Sequence, residues 1–342
     1  MLLSDFNYKL PKGRIAQYPP AVRGSTKLLI LDRQTSAMQH RHYSDLADYI
    51  EPGDIVVLNN TKVIKARLIA KNKAGQEREL LLLEYHTTIP DNHRHRALYR
   101  GHLHEGEMLK VQKALIKVEK IIGNGIVEIS STRDLLKLLE QSGTIPLPPY
   151  IKHGATPNDL IRYQTEFAKK AGSVAAPTAS LNFTDDLRAR LESRGVVVVY
   201  LTLHVGLGTF MPIRNDDLAQ HKMHSEYFEI PQATVAAIQQ AKQKGHKVIA
   251  VGTTVVRTLE AVASKILADE SSSLHGEADI FIYPGYKFKV VNTLLTNFHA
   301  PKSTVLMMAA AFAGWQNLML AYEEALRSGY LFLSYGDSLL IL

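Results

Sequence analysis

The C-terminal half of the chain alternates strand-like and helix-like segments, and this order restricts the fold more than any other feature of the sequence. The run from Val196 to Leu203 is almost continuously apolar and β-branched, as in a strand buried on both faces. A helical segment from Pro231 to Gly245 follows, and then a second apolar run, Lys247 to Val251, which leads into another helix. This alternation predicts an α/β domain with largely parallel strands and a functional site at their carboxyl ends.

The N-terminal region supports the same interpretation. Strand-like runs lie at Lys27 to Leu31 and at Asp54 to Leu58, and the residues between them, Tyr43 to Ile50, fit a short helix. We therefore expect these strands to belong to the α/β domain.

The segment from about residue 68 onward has a different pattern, with short β-like runs, regular turn signals and little helix. The runs are residues 79–85, 108–111, 114–120 and 125–129. They predict a small all-β unit. The proline-rich stretch from Thr144 to Tyr150 fits a stiff hinge back to the larger domain.

Composition excludes several classes of chemistry. The 342 residues include no cysteine, which excludes disulfides, thiolate nucleophiles and cysteine-ligated metal sites. The apolar share of 46% fits a normal buried core, and no apolar run reaches membrane-spanning length. The first residues lack the features of a signal peptide, so we expect a soluble, cytoplasmic protein. A net charge of +7 favours a polyanionic partner, although a solvated basic surface gives the same total.

An uncharged stretch from Gly172 to Thr184 lies between two segments with helical features. Leu160, Tyr163, Phe167 and Ala171 recur at helical spacing, which predicts a helix that ends at Gly172 as its C-terminal cap. Thr184 fits the N-cap of the next helix. Small residues in such a loop either pack tightly or let backbone amides approach a ligand closely, and the sequence leaves both interpretations open.

Five polar clusters are predicted at strand ends. They are residues 204–210, 221–226, 252–254, 297–304 and 334–337. Each has a structural interpretation by itself, but their joint position favours an enzyme. Lys302-Ser303-Thr304 lacks the glycines of a phosphate loop, which argues against nucleoside triphosphate binding.

The all-β segment holds a cluster of histidines and arginines: His86, His93, His95, His102 and His104 with Arg94, Arg96 and Arg100. Alternating arginines would place positive charge against a metal ion, so we rank nucleic-acid contact ahead of metal binding and an exposed basic loop as the structural alternative.

Many short motifs occur in order along nearly the whole length of the chain. They are Asp5-Phe6 with Tyr8, Leu10-Pro11, Ile15-Ala16-Gln17, Gly53-Asp54, Ala66-Arg67-Leu68, Pro146 to Tyr150, Tyr163-Gln164-Thr165, Gly172 to Ala179, Leu203 to Phe210, His221 with Met223 to Glu226, Val251 to Thr254 with Arg257, Pro284-Gly285-Tyr286, Thr296 to His299 with Pro301 to Thr304, and Ser334 to Asp337. In these motifs the chain resembles the S-adenosylmethionine:tRNA ribosyltransferase-isomerases of queuosine biosynthesis.

The resemblance implies a fold and a reaction. The fold is a large α/β barrel-like domain, residues 1–67 and 150–342, with a small all-β domain inserted at 68–149. The enzyme transfers and isomerises the ribosyl part of S-adenosylmethionine onto 7-aminomethyl-7-deazaguanine at the tRNA wobble position. The products are epoxyqueuosine-tRNA, adenine and methionine. The implied partner is tRNA with a GUN anticodon, with no metal, no membrane, and a monomer or weak homodimer.

Two positions depart from the family pattern. The chain has Asn182 in Leu181-Asn182-Phe183-Thr184 where the family usually has histidine, and Asn60 where it usually has aspartate. An amide does not titrate, so neither position transfers a proton here.

Combining motif position with the chemistry gives three sets of candidate residues. A base must remove a proton from the ribose methylene beside the sulfonium, and the departing adenine needs a proton or a strong hydrogen bond. The catalytic candidates are His204, His221, His224 and His299, with Glu226 or Asp337 as orienting carboxylate. The candidate S-adenosylmethionine-binding residues are Gly172, Ser173, Ala175, Ala176, Thr178, Phe183, Gly206, Thr253, Thr254, Arg257 and Tyr335. The candidate RNA-binding residues are Arg94, Arg96, Arg100, Lys152 and Lys302.

Individual roles follow from side-chain chemistry. Arg257 suits the methionine carboxylate, or alternatively a salt bridge to Glu260, and Phe183 could stack on a flat ligand. Two rival classes remain: a metal-dependent hydrolase using His221, His224 and Glu226, although their spacing matches no zincin, and a non-catalytic tRNA-binding module.

Overall fold

A computed structural model describes residues 1–83, 93–206, 216–218, 221, 223–268 and 272–342. The strands in these residues are β1 (Lys27–Leu31), β2 (Met38–His42), β3 (Ile55–Asn59), β4 (Thr61–Val63), β5 (Arg67–Lys71), β6 (Glu77–Leu82), β7 (Arg94–Arg100), β8 (Met108–Val111), β9 (Ala114–Gly123), β10 (Ile126–Ser131), β11 (Lys170–Ser173), β12 (Val197–Leu203), β13 (Glu226–Ile230), β14 (Val248–Val251), β15 (Leu274–Ala278), β16 (Thr293–Asn297) and β17 (Ser338–Ile341). The α-helices are α1 (Leu135–Ser142), α2 (Pro157–Arg162), α3 (Asp185–Ser193), α4 (Gln232–Gln243), α5 (Thr253–Ala261), α6 (Ala263–Ile266), α7 (Thr304–Ala313) and α8 (Trp315–Arg327). Residues Tyr43–Tyr49 form a 3-10 helix, in agreement with the short helix expected there.

A nine-stranded mixed sheet forms the larger part of the molecule, in the order β15-β13-β12-β3-β14-β16-β17-β1-β2. The neighbours β12, β3, β14 and β16 are parallel, so their carboxyl ends lie at one edge. Strands β13 and β17 run antiparallel to β12 and β16, which brings the residues that precede them to the same edge. The predicted α/β architecture with a largely parallel centre is confirmed.

The sheet is not a closed barrel, and here the barrel-like expectation for the large domain differs from the structure. Its pairing ends on strands β15 and β2. The closed barrel is formed instead by six short strands of the all-β segment, in the order β10-β7-β6-β5-β8-β9. Its interior is filled by aliphatic side chains such as Leu68, Leu80 and Ile116, and α1 packs Leu135 and Leu138 against them. The predicted small all-β unit is thus present.

Alternation along β3 divides the core of the sheet into two layers. Ile55 and Val57 face one cluster, which includes helices α4, α5 and α7, whereas Val56 and Leu58 face the other, with α3 and the residues around Phe183. All five residues of β3 are buried. In β12, predicted as the fully buried strand, only the last three residues are buried.

The helix expected to end at Gly172 is shorter than predicted. Helix α2 ends at Arg162, and Gly172 lies in β11, which pairs in parallel with β4. The Gln164 side chain bonds both the N–H and the carbonyl of Val63, at 3.0 and 2.7 Å, so tertiary contacts override the helical spacing. Helix α3 begins as predicted, because the Thr184 hydroxyl accepts from Leu187 N at 3.2 Å.

Three other local predictions change. The polar composition of residues 269–277 predicts an exposed loop, but residues 274–277 belong to strand β15, and residues 269–271 lie outside the described residues. Ser334 to Asp337 precede strand β17 and do not end a strand, and Glu226 begins β13. Residues 94–100, treated as a loop, form strand β7 because their alternating apolar residues face the barrel interior.

Among the described residues, no single helix is long and apolar enough to cross a membrane. Helices α7 and α8 meet the length and composition criteria only as a pair bent by 111°.

The buried carboxylate of Glu260 anchors the segment before β16. It accepts hydrogen bonds from Lys289 N, Val290 N and Val291 N at 2.9 to 3.0 Å and from the Tyr286 hydroxyl at 3.0 Å. We expect Glu260→Ala to lower the free energy of unfolding by about 2–4 kcal/mol, because it leaves backbone donors without acceptors.

Urea denaturation measures the free energy of unfolding of Glu260→Ala. The control is Glu323→Ala, which changes an exposed glutamate on α8. The control should stay within about 0.5 kcal/mol of the wild type. Equal losses in the two variants would contradict the anchoring role.

Candidate active site

Polar groups gather at the edge where β12, β3, β14 and β16 end. His204 follows β12, Thr253 and Thr254 follow β14, and His299 follows β16. The buried Asn59 side chain links the ends of β12 and β14, because its Nδ2 donates to Leu203 O at 3.0 Å and to Thr254 Oγ1 at 3.3 Å. The clusters predicted from sequence therefore do share one edge of the sheet.

His204 is held on three sides. Its Nδ1 and Thr61 Oγ1 are hydrogen-bonded at 2.7 Å, and its ring stacks on Tyr227 with 6.1 Å between centroids and 14° between planes. The third side is the backbone of Gly172, where a Cβ atom would lie 2.8–2.9 Å from ring atoms of His204. Gly172 also has φ +151°, so glycine is needed for both conformation and space.

A carboxylate lies near this imidazole. Lys170 and the Tyr227 hydroxyl hydrogen-bond to Glu229 and, together with the charge of His204, hold the pKa of Glu229 below its ordinary value. An ionised Glu229 stabilises a protonated His204 in return.

Glu226 and Arg257 form a buried ion pair beside Gly206. Glu226 Oε1 accepts from Gly206 N at 2.9 Å, and Oε2 pairs with Arg257. Arg257 also donates to Ala278 O at 3.0 Å and to His224 O at 3.2 Å. The alternative partner considered from sequence, Glu260, is occupied elsewhere, and the pairing of Glu226 takes up the carboxylate that a metal site would need.

The stretch from Gly172 to Thr184 packs across the same edge. The buried Ser173 hydroxyl donates to Ala175 O at 2.7 Å and accepts from Val205 N at 2.9 Å. Thr178 Oγ1 donates to Asn297 Oδ1 at 2.8 Å. Ala175 and Ala176 are buried in apolar clusters, so small side chains hold this loop close against the core.

Phe183 does not have the stacking geometry predicted for it. Its side chain is 1% exposed in the core and meets Phe167 edge-on, at 6.1 Å between centroids. The ring therefore anchors the loop to the core and leaves no surface for a flat ligand.

Asp337 and Tyr335 serve the fold at this edge. Asp337 Oδ1 accepts from Lys27 N and Oδ2 from Leu331 N, both at 2.7 Å, and burial raises the pKa of this carboxyl. The buried Tyr335 hydroxyl donates to Asp159 Oδ1 at 2.7 Å. Both Asp337 oxygens are thus engaged with backbone.

The remaining histidines differ in surroundings. His299 Nε2 and Thr296 Oγ1 are bonded at 2.8 Å, and burial lowers the pKa of His299 to about 3. Burial and then the neighbouring His224 lower the pKa of His221, whose ring meets Phe281 edge-on at 5.0 Å. The His224 side chain is exposed.

The predicted RNA-binding residues are exposed but dispersed. Arg94, Arg96 and Arg100 occupy alternate positions of β7 on the outer face of the barrel, while Lys152 and Lys302 lie on other segments. His95 of the same basic cluster points into the barrel and is 5% exposed, and His86 lies outside the described residues. Residues 207–210 of the motif after His204 also lie outside them.

Sequence reasoning missed several side chains that build the site: Asn59, Thr61, Lys170, Tyr227 and Glu229. Asn59 and Thr61 belong to the motif in which only Asn60 was considered, so their position could have signalled them. Tyr227 and Glu229 lie on β13, whose pairing with β12 was not predicted.

The two departures from the family pattern make neutral hydrogen bonds. Asn182 Oδ1 accepts from Gly24 N at 3.2 Å, and Asn60 Oδ1 accepts from the Thr202 hydroxyl at 2.6 Å. An amide oxygen suffices for both contacts.

Comparison with known proteins identifies relatives over the full length of the chain. A family model described as "Queuosine biosynthesis protein" matches residues 3–341. Proteins named S-adenosylmethionine:tRNA ribosyltransferase-isomerase from Chlorobaculum parvum and from a Sulfurihydrogenibium species are 51% and 45% identical, with 100% of each chain covered. The crystal structure of an S-adenosylmethionine tRNA ribosyltransferase from Thermotoga maritima is 32% identical, with a TM-score of 0.58 over 99% of this chain and 100% of that one.

The contact between Gly172 and His204 can be tested by adding one methyl group. We expect Gly172→Ala to displace the His204 ring and to destabilise the protein by about 1–3 kcal/mol, because the new Cβ overlaps the ring. Unfolding in urea and the NMR resonances of the His204 imidazole report the two effects. Gly13→Ala, which meets nothing within 4 Å, is the matched control, and similar behaviour of the two would refute the contact.

Stability should also depend on His299 in acid. Its pKa is about 3 in the folded protein against about 6.5 in the unfolded chain, so the unfolded chain binds a proton first as the pH falls. The stabilising contribution is complete above about pH 6.5 and is lost toward pH 3. Between pH 7 and pH 5 the free energy of unfolding of His299→Asn should fall by up to about 2 kcal/mol less than that of the wild type. The exposed-site variant His275→Asn should follow the wild type, and an unchanged pH dependence in His299→Asn would contradict the assignment.

Proposed function

Because the chain belongs to the family of queuosine biosynthesis proteins, we propose that it is an S-adenosylmethionine:tRNA ribosyltransferase-isomerase. It moves the ribosyl part of S-adenosylmethionine onto 7-aminomethyl-7-deazaguanine at the tRNA wobble position and isomerises it, giving epoxyqueuosine-tRNA, adenine and methionine. The observation that carries the residue-level proposal is the confinement of His204 among Gly172, Thr61 and Tyr227 at the sheet edge.

S-adenosylmethionine binds between the loop from Gly172 to Thr178 and the turn at Gly206. The loop is built from small side chains and includes Ser173, Ala175 and Ala176, which lets its backbone approach a flat ligand. Thr253 and Thr254 begin α5, whose free amides suit a ribose hydroxyl or a carboxylate. Tyr335 and Phe183 support this pocket from the core and do not touch the ligand.

His204 is the base that removes the proton from the methylene beside the sulfonium. The Thr61 hydrogen bond and the Tyr227 stack orient its ring, and the ionised Glu229 stabilises the imidazolium that forms. His299 is too weak a base for this step, because its pKa is about 3. It acts as a neutral hydrogen-bonding group near the end of β16.

His221 and His224 are further candidates, beside His299, for a hydrogen bond to the departing adenine. The lowered pKa of His221 keeps it neutral at neutral pH, so it accepts or donates a hydrogen bond without carrying charge. Glu226 and Arg257 hold the Gly206 backbone in place, and Asp337 holds the start of β1. We assign these three as positioning residues, and Arg257 meets the methionine carboxylate only if its pairing with Glu226 rearranges.

The partner is tRNA with a GUN anticodon. Because the substrate is tRNA, we place the enzyme in the cytoplasm. Arg94, Arg96 and Arg100 of the barrel, with Lys152 and Lys302, contact its phosphates. We take residues 1–67 and 150–342 as the catalytic domain and 68–149 as the inserted one, and the oligomer as a monomer or weak homodimer.

The assignment of His204 is tested by adenine release from S-adenosylmethionine in the presence of precursor tRNA. We expect His204→Ala and His204→Gln to lower kcat by about 100- to 10,000-fold, the range of a lost general base. His275→Ala, at an exposed position of β15, should retain wild-type turnover. Near-normal turnover of His204→Gln would refute the role of His204. The overall reaction is tested separately, by identifying the product that the wild-type enzyme forms on the tRNA.

A further inference from the structure

Two aromatic rings stack on the surface, apart from the residues assigned to the reaction. Tyr18 and His153 lie 4.6 Å apart between ring centroids, with planes 4° from parallel. Tyr18 is 65% exposed, so the face of its ring opposite His153 is open to solvent. A large exposed aromatic ring held in one orientation is suited to stack on another flat group.

The surroundings of His153 favour the positively charged form of its ring. Its Nδ1 lies 2.9 Å from Gly154 O and its Nε2 lies 2.9 Å from Gln17 O. Carbonyl oxygens only accept hydrogen bonds, so both contacts are made when both ring nitrogens donate, as they do in the imidazolium. These two bonds raise the pKa of His153, and the Asp159 carboxylate lies 3.8 Å away. The cation stacks on the tyrosine face and fixes the ring, which reduces the entropy lost on binding.

The stacked pair is connected to the edge of the sheet that holds the candidate active site. Asp159, beside His153, accepts from the Tyr335 hydroxyl at 2.7 Å, two residues before Asp337. On the other side, the Gln17 side chain donates to Tyr150 O at 3.0 Å, and the Tyr150 hydroxyl bonds Ser334 Oγ at 2.6 Å. The pair is thus anchored to the turn that precedes β17.

A cavity of about 350 Å³ opens beside His153, between the barrel and the segment from Pro146 to Pro149. Tyr99 and Arg100 line it from β7. Arg67, also in the lining, is paired with Glu79 at 3.3 Å, whereas Arg100 makes no ion pair with any residue that the structure describes. The cavity is therefore lined both by His153 of the stacked pair and by the exposed residue Arg100.

We infer that Tyr18 and His153 form a stacking platform for an unpaired nucleobase of the RNA substrate, outside the pocket for the modified base, with the adjoining phosphate held by Arg100 in the neighbouring cavity. This inference rests on the proposed function, since it identifies where the RNA lies beyond the reacting nucleotide. Unpaired RNA bases stack on tyrosine and histidine, and arginine binds phosphate in a bidentate manner. The open aromatic face of Tyr18 next to His153, together with Arg100, meets both requirements.

The platform predicts a change in tRNA affinity without a change in chemistry. In the adenine-release assay with precursor tRNA, Tyr18→Ala should raise KM for tRNA by about 5- to 100-fold, the cost of losing one base–aromatic stack. The kcat at saturating tRNA and the KM for S-adenosylmethionine should stay near wild-type values. Tyr18→Phe keeps the ring and should restore most of the lost affinity.

The matched control is Ile161→Ala, at an equally exposed apolar position on α2 that is 69% exposed. It should leave the KM for tRNA unchanged. Arg100→Glu should raise KM for tRNA and reduce the slope of log affinity against log salt by about one, whereas Arg41→Glu on the edge strand β2 should not.

The outcomes separate the two proposals. If wild-type protein releases no adenine with precursor tRNA, the proposed function fails. If the wild type is active and Tyr18→Ala retains its KM for tRNA and its urea midpoint, the platform is refuted alone. Direct binding of tRNA in the absence of S-adenosylmethionine, by fluorescence anisotropy, gives the same comparison independently of turnover.

Discussion

The side chain of Asn59 is the interaction on which the arrangement of the candidate site depends. It is fully buried at the end of the central strand β3, and its Oδ1 accepts from Leu203 N at 3.0 Å and from Thr61 N at 3.1 Å. Its Nδ2 donates to the carbonyl of Leu203 and to Thr254. The Asn59 side chain therefore extends the pairing of β3 and β12 beyond their last backbone hydrogen bond. It also connects both strands to the start of α5. Aspartate there would lose the donor, and leucine would lose both functions.

Buried carboxylates in this protein act mainly on backbone. Asp337, Glu226 and Glu260 each accept from main-chain N–H groups at places where strands begin or loops turn back. A carboxylate satisfies several donors at once, and these bonds to a charged group are stronger than neutral ones. Sequence alone assigns Glu226 or Asp337 to orient a catalytic histidine, whereas the contacts show both carboxylates bonded to backbone N–H groups at the edge where the histidines lie.

Sequence predicted the elements whose signals are local. Strands β1, β3 and β14, helices α3, α4 and α5, and the all-β segment follow from apolar periodicity, caps and turns. It failed where tertiary contacts decide the structure, as at Gly172. This residue lies in β11, where the next residue, Ser173, pairs with Val63 of β4, and Val63 is also bonded by the Gln164 side chain. The clusters around His204 and Asn297 were located because strand order places them together. Tyr227 and Glu229 were not, because antiparallel pairing between β12 and β13 cannot be inferred from either strand alone.

The chain enters the barrel at Arg67 and leaves it at Thr144, and these two residues are hydrogen-bonded to each other. Arg67 N donates to Thr144 O at 3.1 Å, and Thr144 N donates to Arg67 O at 2.8 Å, so the two crossing points are neighbours in space. The intervening residues close a long loop whose ends the surrounding fold already holds together, and the entropy of closure grows only slowly with loop length. The rest of the protein consequently places little constraint on the length of the segment between Arg67 and Thr144. Such a junction lets the barrel be enlarged, shortened or exchanged while the pairing order of the nine-stranded sheet stays intact.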